Sequence, residues 1–145
     1  VPQFSQLIRK QTIGESLISA AVVGQKHKGP SLQERIQKVL HTVGLPDVTS
    51  CYPVDLSLAE CRRVELACAM INSPPILIID ELTADLDEDA TWDIMHLLNE
   101  INHLGTTVIM ATHARKFVNI YRKRVITLVD GRVLGDVSKG RYGDI

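Results

Sequence analysis

Two adjacent carboxylates, Asp80 and Glu81, follow the apolar run ILII at residues 76–79. Such a run predicts a buried strand, and charges at its end are costly unless they bind something. In α/β sheets, the carboxyl ends of strands are where ligands bind. One carboxylate there can hold Mg²⁺, usually through water, and the other can polarise an attacking water. The pair therefore predicts a site for a metal ion with a phosphate; the plain alternative is two surface carboxylates in a turn.

Two further residues have side chains that could contact a phosphate. His113 ends a second apolar run, VIMATH, and Ser57 begins a predicted helix with the pattern Ser-x-x-Glu. Free N–H groups and the helix dipole favour an anion at a helix start. Each residue also has an ordinary interpretation, as a surface or core histidine and as a simple helix cap. Gln3, taken alone, carries no information.

The composition is that of an ordinary soluble globular protein. The chain has 145 residues, 45% hydrophobic and 23% charged, with a formal net charge of −1. These values predict one domain, or one domain with a small lobe, and give no electrostatic footprint for nucleic acid. The cysteines Cys51, Cys61 and Cys68 lack metal-binding spacing and are predicted to be small buried thiols in a reducing cytosol. No apolar run approaches the ~20 residues of a membrane-spanning helix, and no secretory signal is visible.

The elements that must position these residues change character near residue 73. Three helices come first, each starting with Ser/Thr-x-x-Glu, over 12–24, 31–44 and 57–73, with a polar turn at 25–30. Strands and helices then alternate: strands over 76–80 and 106–112, helices over 88–104 and 114–123, and a hairpin over 124–137 about Asp130-Gly131. This alternation predicts an α/β fold with a mostly parallel sheet, preceded by a separate helical lobe.

Taken in order, Gln3, LSLAE, ILIIDE, ADLD and ATH resemble the later two-thirds of an ABC-type nucleotide-binding domain. The stretches LTADLDEDATWDIMHLLNEINHLGTTVIMATH and RKRVITLVDGRVLGDVSKGRYG are most similar to the FtsE-type cell-division ATPases. The resemblance covers essentially the whole chain. It implies part of a P-loop NTPase core with a helical signature subdomain. Residues 1–73 would hold the Q-loop and that subdomain, and 74–145 the Walker B strand, D-loop, switch histidine and C-terminal β-hairpin.

The resemblance also implies a role for each matching residue. Asp80 would be the Walker B aspartate near Mg²⁺, and His113 the switch histidine at the γ-phosphate of ATP. Glu81 would be the general base or a water-polarising carboxylate. Gln3 would sense Mg²⁺ and a membrane partner. Ser57, with Leu58 and Ala59, would clamp ATP held by the opposite subunit, and Asp87 would lie at the dimer seam.

At the level of the whole complex, the resemblance implies ATP and Mg²⁺ as cofactors. The partners would be an integral membrane permease-like subunit and a second ATPase subunit, either a copy of this chain or a relative. The place would be the cytoplasmic face of the cell membrane.

The chain departs from the family pattern in two main places. It contains no G-x-x-x-x-G-K-[ST] loop, and it opens without Met. It is therefore predicted to be part of a longer product and to hydrolyse almost no ATP alone. The signature reads LSLAE instead of L-S-G-G-[EQ], so the bulky Leu58 stands where glycine lets a backbone approach phosphate. Leu82 replaces a proline and is expected to loosen the turn after Glu81; Cys68 replaces a common arginine.

Three interpretations stay open: a genuine ATPase, a degenerate regulatory pseudo-ATPase, and a module that docks on a membrane partner. The sheet is also expected to leave an apolar edge and face open, which favours association with another chain.

Overall fold

The computed structural model describes residues 1–23 and 30–145. The predicted end of the first helix at Gly24 and most of the predicted turn at 25–30 lie outside these residues. Within them, every predicted helix and strand is present, with a short 3₁₀ turn at Pro53–Asp55. The elements are α1 (Ile13–Val22), α2 (Leu32–Thr42), α3 (Leu58–Met70), β1 (Ile76–Asp80), α4 (Glu88–His103), β2 (Thr107–Ala111), α5 (Arg115–Tyr121), β3 (Val125–Val129) and β4 (Arg132–Val137).

Reciprocal capping boxes start the first three helices. In each, a Ser or Thr side chain accepts from the N–H three residues on, while the Glu there accepts from the N–H of the cap. Two of the N–H groups left over at a helix start are satisfied in this way. The pairs are those predicted: Thr12 with Glu15, Ser31 with Glu34, and Ser57 with Glu60.

Strands β1 and β2 pair in parallel, with Ile78 opposite Ile109. Parallel strands need a crossover, and α4 provides it. On one face of β1, Leu77 and Ile79 are buried in the core, whereas Ile78 on the other face is exposed. The predicted strand is therefore confirmed and is buried on one face.

One hydrophobic core joins the N-terminal helices to this sheet. Side chains from α1, α2, α3, β1 and α4 share it, with Leu82 just beyond β1. The largest fully buried members include Ile13, Leu17, Leu40, Leu66, Ile79, Leu82, Ile94 and Ile101. The carboxyl end of β1 is thus attached to this core through Ile79 and Leu82.

The three cysteines are free thiols, as predicted, and are half-buried where buried thiols were expected. Burial raises the pKa of the Cys68 thiol to about 12 and also raises that of Cys61. Thiols with raised pKa values are poor nucleophiles because the thiolate is the reactive form. Their contribution here is packing.

Contacts divide the described chain into two compact units, 1–111 and 112–145. The second holds α5 and the antiparallel hairpin of β3 and β4, which turns at Asp130-Gly131 as predicted. Both turn residues have positive φ, as a tight hairpin turn of this handedness requires. The predicted boundary between 73 and 74 lies inside the first unit and stays a prediction. In the part of the chain that the structure describes, no helix combines the length and apolarity needed to cross a bilayer.

Candidate metal and phosphate site

Asp80 is the last residue of β1, and its side chain is exposed. The outer edge of β1 is bonded to the first residue of the chain. The Asp80 N–H donates to the Val1 carbonyl (2.9 Å), and the Val1 nitrogen donates to the Ile78 carbonyl (2.7 Å). The 1–3 segment therefore leaves β1 at its carboxyl end, and Gln3 follows two residues after the residue bonded to Asp80.

Glu81 has a backbone conformation that is rare for a residue with a side chain, with φ +45°. Its N–H donates to the Ala111 carbonyl (3.0 Å) at the end of β2, and its carbonyl accepts from the Ala84 N–H (3.1 Å). These bonds close a turn directly after β1. Glu81 Oε1 is buried and has no hydrogen-bond partner among the described residues. A buried carboxylate oxygen without a donor is suited to accept from a bound water.

The turn after Glu81 is anchored at both ends. Leu82 is fully buried and Thr83 nearly so, so the position where the family has proline is held by packing. At the other end, Asp87 caps α4 by accepting from the Ala90 N–H (2.8 Å). Asp87 thus has a structural role as the cap of α4. Its predicted position at a dimer seam stays a prediction.

Gln3 is held through its backbone by a side chain that sequence analysis did not single out. Arg62 Nη2 donates to the Gln3 carbonyl (2.8 Å), and Arg62 Nη1 pairs with Glu65 Oε2 (2.9 Å). Both charged side chains are about 6% exposed. A buried ion pair on α3 therefore fixes the segment that runs past the end of β1.

The start of α3 confirms the predicted cap and shows how its donors are used. Ser57 Oγ accepts from the Glu60 N–H (3.2 Å), while the Ser57 N–H and hydroxyl both donate to Glu60 Oε2 (2.8 Å each). The bond from the Ser57 backbone, and then that from its hydroxyl, lowers the pKa of Glu60. Helix geometry leaves the N–H groups of Leu58 and Ala59 for an outside acceptor. Leu58 itself is exposed.

His113 belongs to the second unit. Its side chain is exposed, and Nδ1 lies 3.1 Å from the Tyr142 hydroxyl. The structure thus brings Gln3, Asp80 and Glu81 to the carboxyl end of β1, whereas Ser57, Leu58 and Ala59 lie at the start of α3 and Asp87 at the start of α4.

The residues at the end of β1 fit a magnesium ion carried by phosphates. Among the described residues, no group of three or more His, Cys, Asp or Glu could hold a metal ion. Mg²⁺ in phosphate-transfer sites commonly takes only one or two protein carboxylates, the other ligands being water and phosphate oxygens. Asp80 supplies one exposed carboxylate, and the unpartnered oxygen of Glu81 lies one residue on.

Two contacting residues, one in each unit, could not be identified from the sequence. In the first unit Arg62 contacts Gln3 across 59 positions, and in the second Tyr142 contacts His113 across 29. The sequence around Arg62 is that of an ordinary helix, and the sequence around Tyr142 is that of a polar C-terminal segment. Neither contains a local pattern that predicts these contacts. Only the folded backbone brings the partners together.

Comparison with known proteins places these residues in a family. The family model described as ABC transporter matches residues 1–84, which is more than half of the chain. Curated relatives include the cell division ATP-binding protein FtsE of Streptococcus pneumoniae (strain D39), 42% identical over 139 residues, and that of Bacillus subtilis (strain 168), 41% identical over 140. The match covers 95% of this chain and 60% of each relative. The chain therefore spans about 60% of the length of these relatives.

Solved structures show the same fold. The protein cbiO1 from Clostridium perfringens, described as part of the ABC transporter complex cbiONQ, is 29% identical with a TM-score of 0.79. That match covers 92% of this chain and 53% of the other. MJ1267, an ATP-binding cassette of an ABC transporter, is 19% identical with a TM-score of 0.82, covering 94% and 58%. At that identity the second match supports the fold alone.

Proposed function

This chain belongs to the ABC transporter family, and we propose that it forms part of an FtsE-like subunit that binds and hydrolyses ATP for a membrane complex. The observation that carries the proposal is the pair of carboxylates at the end of β1. Asp80 is exposed at the strand tip, and Glu81 is held in a left-handed turn with one buried, unpartnered oxygen. Strained backbone together with a buried carboxylate oxygen that lacks a donor is an arrangement typical of ligand sites.

In the proposed reaction, water attacks the γ-phosphate of ATP and gives ADP and inorganic phosphate. Asp80 would hold Mg²⁺, and the Gln3 side chain would contribute from the neighbouring segment. When bound, Mg²⁺ neutralises charge on the phosphate oxygens. Glu81 accepts a hydrogen bond from the attacking water and orients it. His113 donates to the γ-phosphate.

A glycine-rich loop that cradles phosphates is absent from these 145 residues, and we propose that the chain alone binds Mg-ATP weakly. The activity test therefore uses the protein as it occurs in its cell. Asp80→Asn should lower ATP turnover and raise the Mg²⁺ concentration needed for half-maximal rate. Asp89→Asn, an exposed change in the first turn of α4, is the matched control. An unaltered Mg²⁺ requirement in Asp80→Asn would count against the site.

The proposed complex contains a second ATPase subunit and a permease-like membrane subunit, at the cytoplasmic face of the membrane. Ser57, Leu58 and Ala59 would contact ATP on the opposite subunit, with Asp87 at the seam. For the membrane subunit, the first unit offers a largely apolar cavity of about 360 Å³ between the 1–11 segment, α1 and α3. Two polar atoms in its lining, Ser16 Oγ and Glu65 Oε1, are buried and have no partner among the described residues.

Filling that cavity tests the docking part of the proposal. Ser19 lines the cavity and is exposed on α1, so Ser19→Trp adds bulk without entering the core. We expect co-purification with the membrane subunit to fall, whereas Ser50→Trp, on an exposed loop, should leave it intact. Equal recovery of the complex with both variants would rule the cavity out as a docking site.

A second candidate function, a regulatory subunit with weak or no turnover, is favoured by Leu58. Its side chain is 43% exposed at the first position of α3, where the family pattern has glycine. A Cβ and a branched side chain there hinder the approach of a phosphate to the N–H groups. If this hindrance limits turnover, Leu58→Gly with Ala59→Gly should raise the rate while Ser57 and Glu60 keep the cap. No gain in rate would exclude this cause of inactivity.

A further inference from the structure

His113 and Tyr142 form a pair within the second unit. Nδ1 of the imidazole lies 3.1 Å from the tyrosine hydroxyl, which is hydrogen-bond distance. Which ring nitrogen of a neutral histidine carries the proton is set by the bond the other nitrogen makes. The tyrosine therefore acts on the chemistry of the opposite nitrogen, Nε2.

Tyr142 is fixed from two directions. Its N–H donates to Asn119 Oδ1 on α5 (2.8 Å), and the Arg115 guanidinium carbon lies 5.3 Å from the centre of its ring. The second contact is within the range of a cation–π interaction. Because Arg115 and Asn119 both belong to α5, the helix that follows His113 also positions the hydroxyl that contacts it.

The loop that carries Tyr142 is itself tied down. Arg122 Nε and Nη2 both donate to the Lys139 carbonyl (3.3 Å each), and the Gly140 N–H donates to the Lys123 carbonyl (3.0 Å). Gly140 also permits close packing, since a Cβ there would lie 2.9 Å from Val125 Cβ. The hydroxyl is thus presented by a constrained loop and not by a mobile tail.

We propose that Tyr142 is a positioning residue that holds His113 Nδ1 and leaves the proton on Nε2. Neutral imidazole nitrogen is the better acceptor and the phenol the better donor, so the hydroxyl donates and Nε2 keeps its hydrogen. If the imidazole is charged, Nδ1 donates to the hydroxyl and Nε2 again carries a proton. In both states the free nitrogen is a hydrogen-bond donor, which is what a contact with phosphate needs. This inference rests on the proposed role of His113 at the γ-phosphate.

The direct test is the tautomer of His113, read from the ¹⁵N chemical shifts of labelled histidine side chains. His113→Gln identifies the signals by their loss. In the unaltered protein we expect Nε2–H to dominate, and in Tyr142→Phe, which removes only the hydroxyl, a mixed population. Asn119→Ala, which frees the Tyr142 backbone, should shift the signals in the same direction. Tyr52→Phe, in the first unit, is the matched control and should change nothing.

The rate of ATP turnover then separates two claims: that Tyr142 positions His113, and that His113 acts in hydrolysis. If Tyr142 acts through His113, Tyr142→Phe should lower kcat by about tenfold with little change in KM, and should have no further effect in His113→Gln. Identical His113 shifts in the unaltered protein and Tyr142→Phe would overturn the inference whatever the rate. Altered shifts with an unchanged rate would uphold the positioning and instead refute the proposed role of His113 in hydrolysis.

Discussion

At the scale of single residues, Glu81 combines an unfavourable backbone conformation with the carboxylate proposed to act on water. A positive φ in a residue with a side chain is uncommon and costs on the order of 1 kcal/mol or more. The same residue carries a buried oxygen without a donor. The fully buried Leu82 next to it stabilises the turn that imposes this conformation. Such a local cost, maintained by good packing, is typical of a position selected for function.

This cost predicts a trade between stability and activity. Glu81→Gly should raise the free energy of unfolding by about 1 kcal/mol, because glycine adopts positive φ without strain. The same change should abolish ATP turnover. Ser73→Gly is the control, since Ser73 also has positive φ but lies in an exposed turn before β1; it should stabilise without loss of rate. Urea unfolding measures the stability of both variants. If Glu81→Gly were less stable than the unaltered protein, the proposed strain at Glu81 would be contradicted.

At the scale of elements, the sequence predicted nearly the whole inventory. Helix starts were predictable because a capping box is a local pattern, and Ser57 with Glu60 needs only three residues of spacing. The strands were predictable because short apolar runs bounded by turn residues are typical of buried β-strands. The degree of burial was harder to predict. Cys61 and Cys68 lie on a face of α3 that neighbouring elements cover only in part, and the spacing of residues in the sequence does not show how much of that face is covered.

The capping box of α3 predicts a specific pH response. The Ser57 N–H and hydroxyl lower the pKa of Glu60, so the charged form stabilises the folded helix start. Its contribution is complete above the ordinary pKa of about 4.5 and is lost as the pH falls through the lower, folded value. Ser57→Ala removes the hydroxyl but keeps the N–H, which has the larger effect. It should therefore raise the pKa of Glu60 partway in a carboxyl ¹³C titration, whereas Ser31→Ala should not. A Glu60 pKa unmoved by Ser57→Ala would refute the part assigned to the hydroxyl.

Contacts between elements were the part that sequence could not give. Val1 bonds Asp80, Arg62 bonds Gln3, and Tyr142 bonds His113, each across dozens of positions. No periodicity specifies such pairs, because they depend on how packed helices and strands are placed. The candidate carboxylates and the histidine were therefore predictable from the sequence, whereas the residues that hold them were not.

The buried ion pair of α3 predicts a double-mutant result. Arg62→Met alone should destabilise the protein by roughly 3 kcal/mol, since it leaves the Glu65 charge buried without a partner. Arg62→Met with Glu65→Leu should recover most of that loss. The surface pair of Arg124 and Asp136 is the control, and Arg124→Met should cost less. Chemical denaturation measures all four proteins, and equal stability of the single and double variants would contradict the buried pair.

At the scale of the whole molecule, an apolar face of the sheet is exposed, as predicted. Ile76, Ile78 and Ile109 are each more than half exposed on the face of β1 and β2 opposite the core. The predicted open edge is partly absent, because Val1 bonds the outer edge of β1. Exposed apolar patches of this kind promote association.

Association of the 145-residue chain should therefore depend on that face. Light scattering should show a mass that rises with concentration, and Ile78→Lys with Ile109→Lys should bring it to that of a monomer. Val54→Lys replaces an even more exposed apolar side chain elsewhere and should leave the association unchanged. A monomer at all concentrations in the unaltered chain would show that the face does not drive assembly.

The most direct test of the whole account is the rate of phosphate release from Mg-ATP by the native protein carrying Glu81→Gln, with ATP binding measured in parallel. Glutamine keeps the shape of the side chain but cannot take a proton from water. We expect ATP still to bind and phosphate release to slow by about 10²-fold or more, while Glu100→Gln on the exposed face of α4 releases phosphate at the normal rate. Normal release in Glu81→Gln would contradict the proposed role of Glu81.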